Sequence, residues 1–527
     1  MARSAIIWDS LPTALEKHKV NLIELDIIRR CGVLSERELE MTEKYNVATL
    51  LDQLARGQLT AVEVTGAFSK RAAVAGQLTN CLTETLFDEA HKRARELDVL
   101  RKKGQLAGPL QGLPVSIKDC FQIVGSQATL GLTEYIGLTA TENSSLVDML
   151  LKLGAVLYVK TNVPQVLMSA DSENVIFGRT LNPWNTAITA GGSSGGEGTL
   201  IALHGSPLGV GTDIGGSIRI PSLCCGLYGF KPTTNRIPYS KQQSCHKLLG
   251  SILPSAGPLA NDLESLRIFC KSIIDAHPAN YDSMALDVPW RDSVAAPLKP
   301  KLRFGLLPED PMSPLHPPVK ATLAEATRLL RAQGHEVVPL SAEECQIAQA
   351  HEVLWRTLGL DNTANEIVAR GGEPIINSRV VVQKNVEEIP AGFVKGFDAL
   401  LPFEKLYTMR VRREEVMEAW REIWTGHGLD AVIAPGAQST AVKHDTYGGF
   451  VPYTGLLNLL DYPACMIPFG RAALFPPFEK REGQWMTRYD PELVEGAPCS
   501  IQVFTSRMRD EECLAIAKTV DECLRGK

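Results

Sequence analysis

Two serines in glycine-rich segments are the residues of this chain best suited to covalent chemistry. Ser193 lies in the glycine-rich run 191–197, and Ser217 lies in the run 211–219, which places the two serines 24 residues apart. A serine hydroxyl is a weak nucleophile until a neighbouring base takes its proton, and glycine turns let backbone N–H groups converge on a developing oxyanion. The pattern therefore predicts an acyl-transfer site that still needs a base.

Lys118 is the candidate base. It ends the apolar run 113–117, which predicts a strand that would bury the amine. Burial disfavours the charged form of a lysine, and a neutral lysine can accept a proton. Asp119 follows at once, but successive side chains of a strand point to opposite faces, so we expect its carboxylate to face away from the site.

The three elements together resemble the amidase signature family of Ser-cisSer-Lys amide hydrolases. Lys118, Ser193 and Ser217 are separated by 75 and 24 residues, and the block closes on the segment 229–233. The resemblance implies that Ser217 is the nucleophile, that Ser193 is the bridging serine in a cis peptide arrangement, and that Lys118 is the terminal base. One residue departs from the pattern, because Ala190 stands where many members have proline; this leaves the triad intact and would loosen the turn that carries Ser193.

Residues around the triad are predicted to bind or support the substrate. The consecutive N–H groups at 214–217 form a candidate nest for the substrate oxygen, as the resemblance also implies. An ion pair or hydrogen-bond pair is expected to hold the nucleophile turn, and two apolar residues are candidates for the wall of an acyl pocket. The predicted oxyanion and substrate-binding residues are Ile214, Gly215, Gly216, Ser194, Thr212, Leu167 and Met168, and the supporting pair is Asp213 and Arg219.

The predicted mechanism is a proton relay through two hydroxyls. Neutral Lys118 takes a proton from Ser193 while Ser193 takes one from Ser217, and the relay reverses to protonate the leaving nitrogen. Water then hydrolyses the acyl-enzyme through the same relay. A competing Ser-His-Asp triad would use the adjacent residues His444 and Asp445, although triad members normally converge from separate loops.

Cys224 and Cys225 follow Ser217 closely enough to be mistaken for nucleophiles. We interpret them as small buried residues, because no histidine lies near them in the sequence.

The sequence predicts a small-molecule amide as substrate and leaves its identity open. Segments 429–435 and 453–464 resemble the fungal general amidase and acetamidase branch, whereas 162–165 is shared with fatty acid amide hydrolase. An enzyme for long-chain amides and a non-catalytic binding module with the same fold are the alternatives. Hydrolysis and acyl transfer to another amine are both open.

Composition limits the partners. The 527 residues carry a net charge of −6, which provides no basic surface for nucleic acid. The ten histidines show no metal-ligand spacing, so we expect no metal and no cofactor.

Twelve cysteines without Cys-x-x-Cys pairs indicate reduced thiols. No run approaches the roughly eighteen apolar residues of a membrane span, and residues 1–9 reach an acidic residue before a leader sequence forms, so we expect a cytoplasmic protein, with a homodimer as one option.

Alternating strand-like and helical segments from residue 112 onward predict an α/β protein. The expected fold is a single large amidase-signature domain, with a mixed twisted sheet covered on both faces by helices. Residues 1–104 are predicted as an N-terminal helical region that packs on the core and is continuous with the α/β domain of 105–527. The proline-punctuated segments 288–300 and 475–496 are expected to be surface excursions, the second long enough to be a lid or an insertion.

Overall fold

A mixed sheet of eleven strands is the main element of the structure, a computed structural model that describes residues 14–246, 252–295, 299–387, 389 and 393–526. Residues 1–9, on which the expectation about a leader sequence rests, lie outside the described residues, as do residues 296–298 of the first predicted excursion. The strands of the sheet are β1 (Leu82–Thr85), β2 (Pro114–Lys118), β3 (Val156–Thr161), β4 (Gly209–Asp213), β5 (Tyr228–Lys231), β6 (Ser255–Ala260), β7 (Arg303–Leu306), β8 (Glu336–Pro339), β9 (Ala431–Pro435), β10 (Ala464–Arg471) and β11 (Pro498–Phe504).

Parallel pairs lie on both sides of an antiparallel centre, and an antiparallel strand, β1, is added at one edge. The strand order is β1-β3-β2-β4-β6-β5-β10-β11-β9-β7-β8. Strand β2 runs parallel to β3 and β4, and β7 runs parallel to β8 and β9, whereas the remaining pairs are antiparallel. Every residue of β2, β3 and β4 is buried. Since successive side chains of a strand point to opposite faces, both faces of this part of the sheet are covered, as the sequence predicts.

Several of the α-helices begin at a residue whose side chain caps the first turn. Ser35 with Glu38, and Thr60 with Glu63, form reciprocal capping boxes at the starts of two helices. In the described part of the chain the α-helices span Ile27–Arg30, Glu36–Lys44, Val47–Arg56, Ala61–Thr79, Phe87–Lys102, Ser145–Lys152, Gly195–Ala202, Arg219–Cys225, Leu263–Ile274, Asp292–Ala295, Pro317–Ala332, Ala342–Cys345, Ile347–Leu358, Thr363–Gly371, Asn377–Glu387, Pro402–His427, Pro452–Leu459, Pro491–Val494 and Asp510–Leu524.

The N-terminal region contributes a strand as well as helices. Residues Leu82–Thr85 form edge strand β1, which pairs antiparallel with β3. The sequence predicted only helices here, because a four-residue, mostly half-buried strand has no periodicity to detect. One apolar cluster runs from Leu22 to Leu524 and joins this region to the rest of the core.

The excursion 475–496 is tied to the body of the protein. Trp485 is buried, and its N–H donates to the carbonyl of Met312 at 2.6 Å. The N–H of Thr487 donates to Oε1 of Gln438 at 3.1 Å, and its carbonyl is 2.8 Å from Nε2 of His316. No residue of this segment lines the two cavities beside Ser217 that are described below. The structure thus gives an anchored surface segment and does not support the prediction of a lid.

Candidate active site

Lys118 ends strand β2 with its side chain fully buried. Its Nζ donates to Oγ of Ser193 and to Oγ1 of Thr212, each at 2.7 Å. Burial lowers the pKa of Lys118 to about 8, although acidic groups nearby oppose the shift. Among the described residues no carboxylate lies within ion-pair distance of Nζ. Asp119 turns away from the site and accepts the N–H of Leu130 at 2.8 Å. The arrangement supplies a lysine that can lose its proton near neutral pH.

Ser193 is presented at the start of a helix. The Gly192–Ser193 peptide bond is cis, as the resemblance implied, and Ser194 precedes the helix Gly195–Ala202. The turn is fastened by Ser172, whose Oγ donates to the carbonyl of Gly191 at 2.9 Å and accepts the N–H of Gly195 at 3.1 Å. The turn is therefore held by side-chain hydrogen bonds although alanine stands at position 190.

Ser217 lies in the loop between β4 and the helix Arg219–Cys225. It lines the same cavity as Ser193, and its carbonyl accepts the N–H of Ser194 at 3.3 Å. Among the described hydrogen bonds none joins the hydroxyls of Ser193 and Ser217, so the first link of the predicted relay is formed and the second is open. Catalytic hydrogen bonds often close only when substrate binds.

The predicted oxyanion nest differs from the structure at one residue. The N–H of Gly216 donates to Oδ1 of Asp213 at 2.8 Å and is not available to a substrate. The N–H groups of Ile214, Gly215 and Ser217 make no hydrogen bond with any described residue. The structure therefore offers three donors where the sequence predicted four, and it uses the fourth to hold the loop.

Gly216 is required by its backbone conformation. Its φ of 134° lies where glycine is favoured, and a Cβ built there would approach Oγ1 of Thr454 to 2.6 Å. Any larger side chain would displace the loop that carries the three donors.

Asp213 and Arg219 form a fully buried pair below this loop. Nε of Arg219 donates to Oδ2 of Asp213, and Nη2 donates to Oδ1, both at 3.0 Å. Burial alone would raise the pKa of Asp213, but the Arg219 guanidinium outweighs burial and holds that pKa well below its usual range. The carboxylate also accepts the N–H of Ile218 at 3.1 Å. The carboxylate thus contacts both Arg219 and the backbone of the loop, and the supporting role expected from the sequence stays a prediction.

Three residues that sequence analysis did not assign complete this network. Asn458 donates to Oδ1 of Asp213 at 2.9 Å and accepts from Arg219 at 2.8 Å, and Gln502 accepts from Arg219 at 3.3 Å. Oγ1 of Thr454 donates to the carbonyl of Gly215 at 2.7 Å and so fixes that peptide unit. Thr454 and Asn458 belong to the segment 453–464, which resembles the fungal amidase branch but carries no local pattern that indicates a role in the site.

Glu197 is a buried acid close to Lys118. It accepts hydrogen bonds from Oγ of Ser116 at 2.6 Å and from Oγ1 of Thr161 at 2.9 Å. Burial raises its pKa to about 8, so the carboxyl group is largely neutral at pH 7. A neutral Glu197 removes one of the acidic charges that would stabilise the ammonium form of Lys118.

The residues of the competing mechanism are engaged elsewhere. Nδ1 of His444 is 3.2 Å from Oδ1 of Asp171, and Nε2 is 3.0 Å from the carbonyl of Thr186. Asp445 pairs with Arg179 at 2.9 Å rather than with His444. The adjacent histidine and aspartate therefore do not form a triad with Ser217.

The thiols of Cys224 and Cys225 are buried, and burial raises the pKa of each. A thiol in such a place is a poor nucleophile.

Two chambers meet at Ser217. The larger, of about 350 Å³, is also lined by Ser193, Thr212 and Tyr239. The smaller, of about 50 Å³, is also lined by Gly192, Gly215 and Trp355. Leu167, Met168 and Ile214 line both chambers, so the two predicted pocket residues do lie beside the nucleophile.

The comparisons with known proteins agree with this geometry. The family described as Amidase matches residues 63–514. The chain belongs to the amidase family. An amidase of Gibberella moniliformis is 38% identical over 504 residues, with 95% of this chain and 92% of the relative covered. An acetamidase of Emericella nidulans is 36% identical over 520 residues, with the same two coverages. A solved structure titled fatty acid amide hydrolase has a TM-score of 0.85 and 28% identity, covering 96% of this chain and 89% of its own.

Membership of the amidase family assigns the reaction. The chain is an amide hydrolase with the family's single large domain, in which helices flank a mixed sheet. Among the helices of the described residues, none combines the length and the apolar composition needed to cross a membrane.

Proposed function

We propose that this amidase cleaves its substrate through an acyl-enzyme on Ser217, with Ser193 and Lys118 as the proton relay. The observation that carries the proposal is the 2.7 Å contact between Nζ of the buried Lys118 and Oγ of Ser193. A lysine with a lowered pKa and no carboxylate partner can accept a proton from a hydroxyl.

Acylation proceeds by transfer of one proton along the relay. Oγ of Ser217 attacks the carbonyl carbon, its proton passes to Ser193, and the proton of Ser193 passes to Nζ of Lys118. The carbonyl oxygen takes the charge and is stabilised by the N–H groups of Ile214 and Gly215. As the C–N bond breaks, the proton returns through Ser193 to the departing nitrogen. Water then attacks the ester by the same route and releases the acid.

A covalent probe tests the assignment of the nucleophile. A fluorophosphonate should add to Ser217 of the wild-type chain, and Ser217→Ala should remove both labelling and amide hydrolysis. Ser222→Ala is the matched control, because Ser222 is a nearby serine that lines neither chamber and whose buried hydroxyl donates to the carbonyl of Ile218 at 2.8 Å. Labelling that survives in Ser217→Ala would move the nucleophile elsewhere, and a wild-type chain that neither reacts nor hydrolyses amides would be a binding module.

We also propose a cytoplasmic location and a homodimer. All twelve cysteines are free, which suits a reducing compartment. Phe403 is 77% exposed and Tyr407 63% exposed, and they lie one turn apart on the helix Pro402–His427, where a second copy would cover them. Cell fractionation tests the location. Sedimentation equilibrium of the wild type and of Phe403→Glu tests the assembly, since a monomeric wild type contradicts the dimer.

The organisation of the domain is a further proposal. We propose that residues 1–104 and 105–527 fold only together, because among the described strands edge strand β1 pairs with β3 alone. Separate expression of the two pieces tests this, and a folded 105–527 fragment would contradict it.

A further inference from the structure

The geometry points to a substrate with a small acyl part and a large amine part. The inference rests on the proposed roles of Ser217 and Ser193 and concerns the two chambers that meet at the nucleophile. An amide carbonyl bonded to Ser217 must direct its two substituents into different spaces. The chamber that each substituent enters can be assigned from the groups that line it.

The larger chamber receives the amine part. The leaving nitrogen must be protonated as the C–N bond breaks, and the proton comes from the hydroxyl of Ser193. Ser193 lines the larger chamber and not the smaller one. Thr212, which like Ser193 accepts a hydrogen bond from Nζ of Lys118, also lines the larger chamber. The nitrogen and everything attached to it therefore face the chamber of about 350 Å³.

The smaller chamber receives the acyl part. Gly215, one of the three free backbone donors, lines the smaller chamber and not the larger. With the carbonyl oxygen on these donors and the nitrogen on the side of Ser193, the remaining substituent enters the smaller chamber. Its other side-chain walls are mainly apolar and include Ile220, Leu354, Trp355, Leu358, Val382 and Val451.

The volumes set the size of each part. A space of about 50 Å³ for water-sized groups accepts roughly three to five carbon atoms, since one such group needs about 10–15 Å³. The larger chamber falls in the range of pockets that bind drug-sized molecules, which begins at roughly 300 Å³. The acyl group is therefore short, with no more than about five carbon atoms, and the amine carries a bulky substituent.

Trp355 closes the smaller chamber. Its Nε1 donates to the carbonyl of Gly449 at 2.7 Å, which holds the indole against a loop that also lines this space. The loop is supported in turn by Phe450, which packs in a separate apolar cluster with Trp485. A longer acyl chain would have to displace a ring that is fixed on both sides.

Polar groups in the larger chamber also favour an amine substituent over a hydrocarbon chain. Polar residues that line it include Asn235, Ser240, Gln243 and Ser244. Ile252 and Met284 supply apolar wall beside them. Since a polar group left unpaired by a bound ligand is costly, we infer that the amine part carries a hydrogen-bonding group as well as an apolar body.

Two substrate series test the assignment. In the first, the acyl group stays acetyl while the amine part grows from ammonia (acetamide) to aniline (acetanilide) and 4-hydroxyaniline. In the second, the amine part stays aniline while the acyl group grows from acetyl to butyryl and octanoyl. We expect kcat/KM to rise at least about tenfold along the first series and to fall at least about tenfold from butyryl to octanoyl. Octanamide hydrolysed faster than acetanilide would overturn the assignment.

Variants of the walls separate the two chambers. Trp355→Ala should raise the ratio of kcat/KM for octanoyl anilide to kcat/KM for acetanilide at least about tenfold. Trp184→Ala is the matched control, because Trp184 is equally half-buried, donates from Nε1 to the carbonyl of Cys225 at 2.8 Å, and lines neither chamber. Thermal unfolding of both variants shows whether each is folded. An unchanged acyl profile in folded Trp355→Ala contradicts the proposal.

A second variant does not depend on the smaller chamber. Met284 is 61% exposed at the wall of the larger one, so Met284→Trp should fold and should lower kcat/KM for acetanilide more than for acetamide. An equal effect on both substrates contradicts the assignment. Fluorophosphonate labelling of Ser217 distinguishes failure of the chamber assignment from failure of the proposed function. A labelled enzyme with the opposite size preference disproves only the chamber assignment. An unlabelled, inactive chain disproves the proposed function and the chamber assignment with it.

Discussion

Nζ of Lys118 lies 2.7 Å from Oγ of Ser193, and no carboxylate among the described residues competes for the amine. The contact joins the end of strand β2 to the start of the helix Gly195–Ala202, two elements that are adjacent because β2 and β4 pair in parallel. A charged lysine could donate to the serine, but only a neutral one can take its proton. The relationship therefore makes activity depend on the protonation state of Lys118.

Thr454→Val should slow the chemical step. The variant keeps the side-chain volume and removes the hydrogen bond to the carbonyl of Gly215, so the free donors of the loop lose their fixed orientation. We expect kcat to fall about 10- to 100-fold with little change in KM, measured by steady-state kinetics on one amide. Thr327→Val removes a similar buried hydrogen bond, 2.8 Å to the carbonyl of Leu323, far along the chain and should leave kcat unchanged. Equal kinetics in both variants would show that Thr454 does not position the loop.

Glu197→Gln should be close to the wild type, whereas Glu197→Ala should not. Because burial raises the pKa of Glu197 to about 8, the carboxyl is mostly neutral at pH 7, and an amide has nearly the same shape and hydrogen-bonding capacity. Alanine would leave a cavity and the hydroxyls of Ser116 and Thr161 unpaired, at a cost of about 2–4 kcal/mol. Urea unfolding at pH 7 measures both. A glutamine variant as unstable as the alanine variant would indicate an ionised Glu197.

His444→Ala should affect stability more than catalysis. Both ring nitrogens contact buried acceptors, Asp171 and the carbonyl of Thr186, and neither contacts Ser217. We expect kcat/KM within about threefold of the wild type and a loss of about 1–3 kcal/mol in the free energy of unfolding. A loss of activity as large as that of Ser217→Ala would restore the conventional triad.

The sequence predicted the fold and the centre of the site for identifiable reasons. Long periodic segments such as Pro317–Ala332 and Pro402–His427 carry a clear helical signal, and the glycine runs around Ser193 and Ser217 carry a turn signal. Strand β1 was missed because four residues are too few to show alternation. The N–H of Gly216 was assigned to the substrate because the sequence does not show that Asp213 reaches back to it.

Contacts between residues that are far apart in the sequence could not be predicted, for a similar reason. Thr454 and Asn458 act on residues about 240 positions away, and no local pattern encodes that pairing. The sizes of the two chambers depend on how Trp355 and Met284 pack, which spacing along the chain does not reveal.

The pH dependence of kcat/KM in the wild type and in Lys118→Ala tests the central claim, that neutral Lys118 starts the relay. Because burial lowers the pKa of Lys118 to about 8, the wild-type value should rise about tenfold per pH unit below pH 8 and level off above it. In Lys118→Ala, kcat/KM should fall about a thousandfold or more and should lack this rise. The pKa of Glu197 is also about 8, so Glu197→Gln is the control, and it should keep the rise with pH. A Lys118→Ala variant with near-normal activity and the wild-type profile would show that Lys118 is not the base.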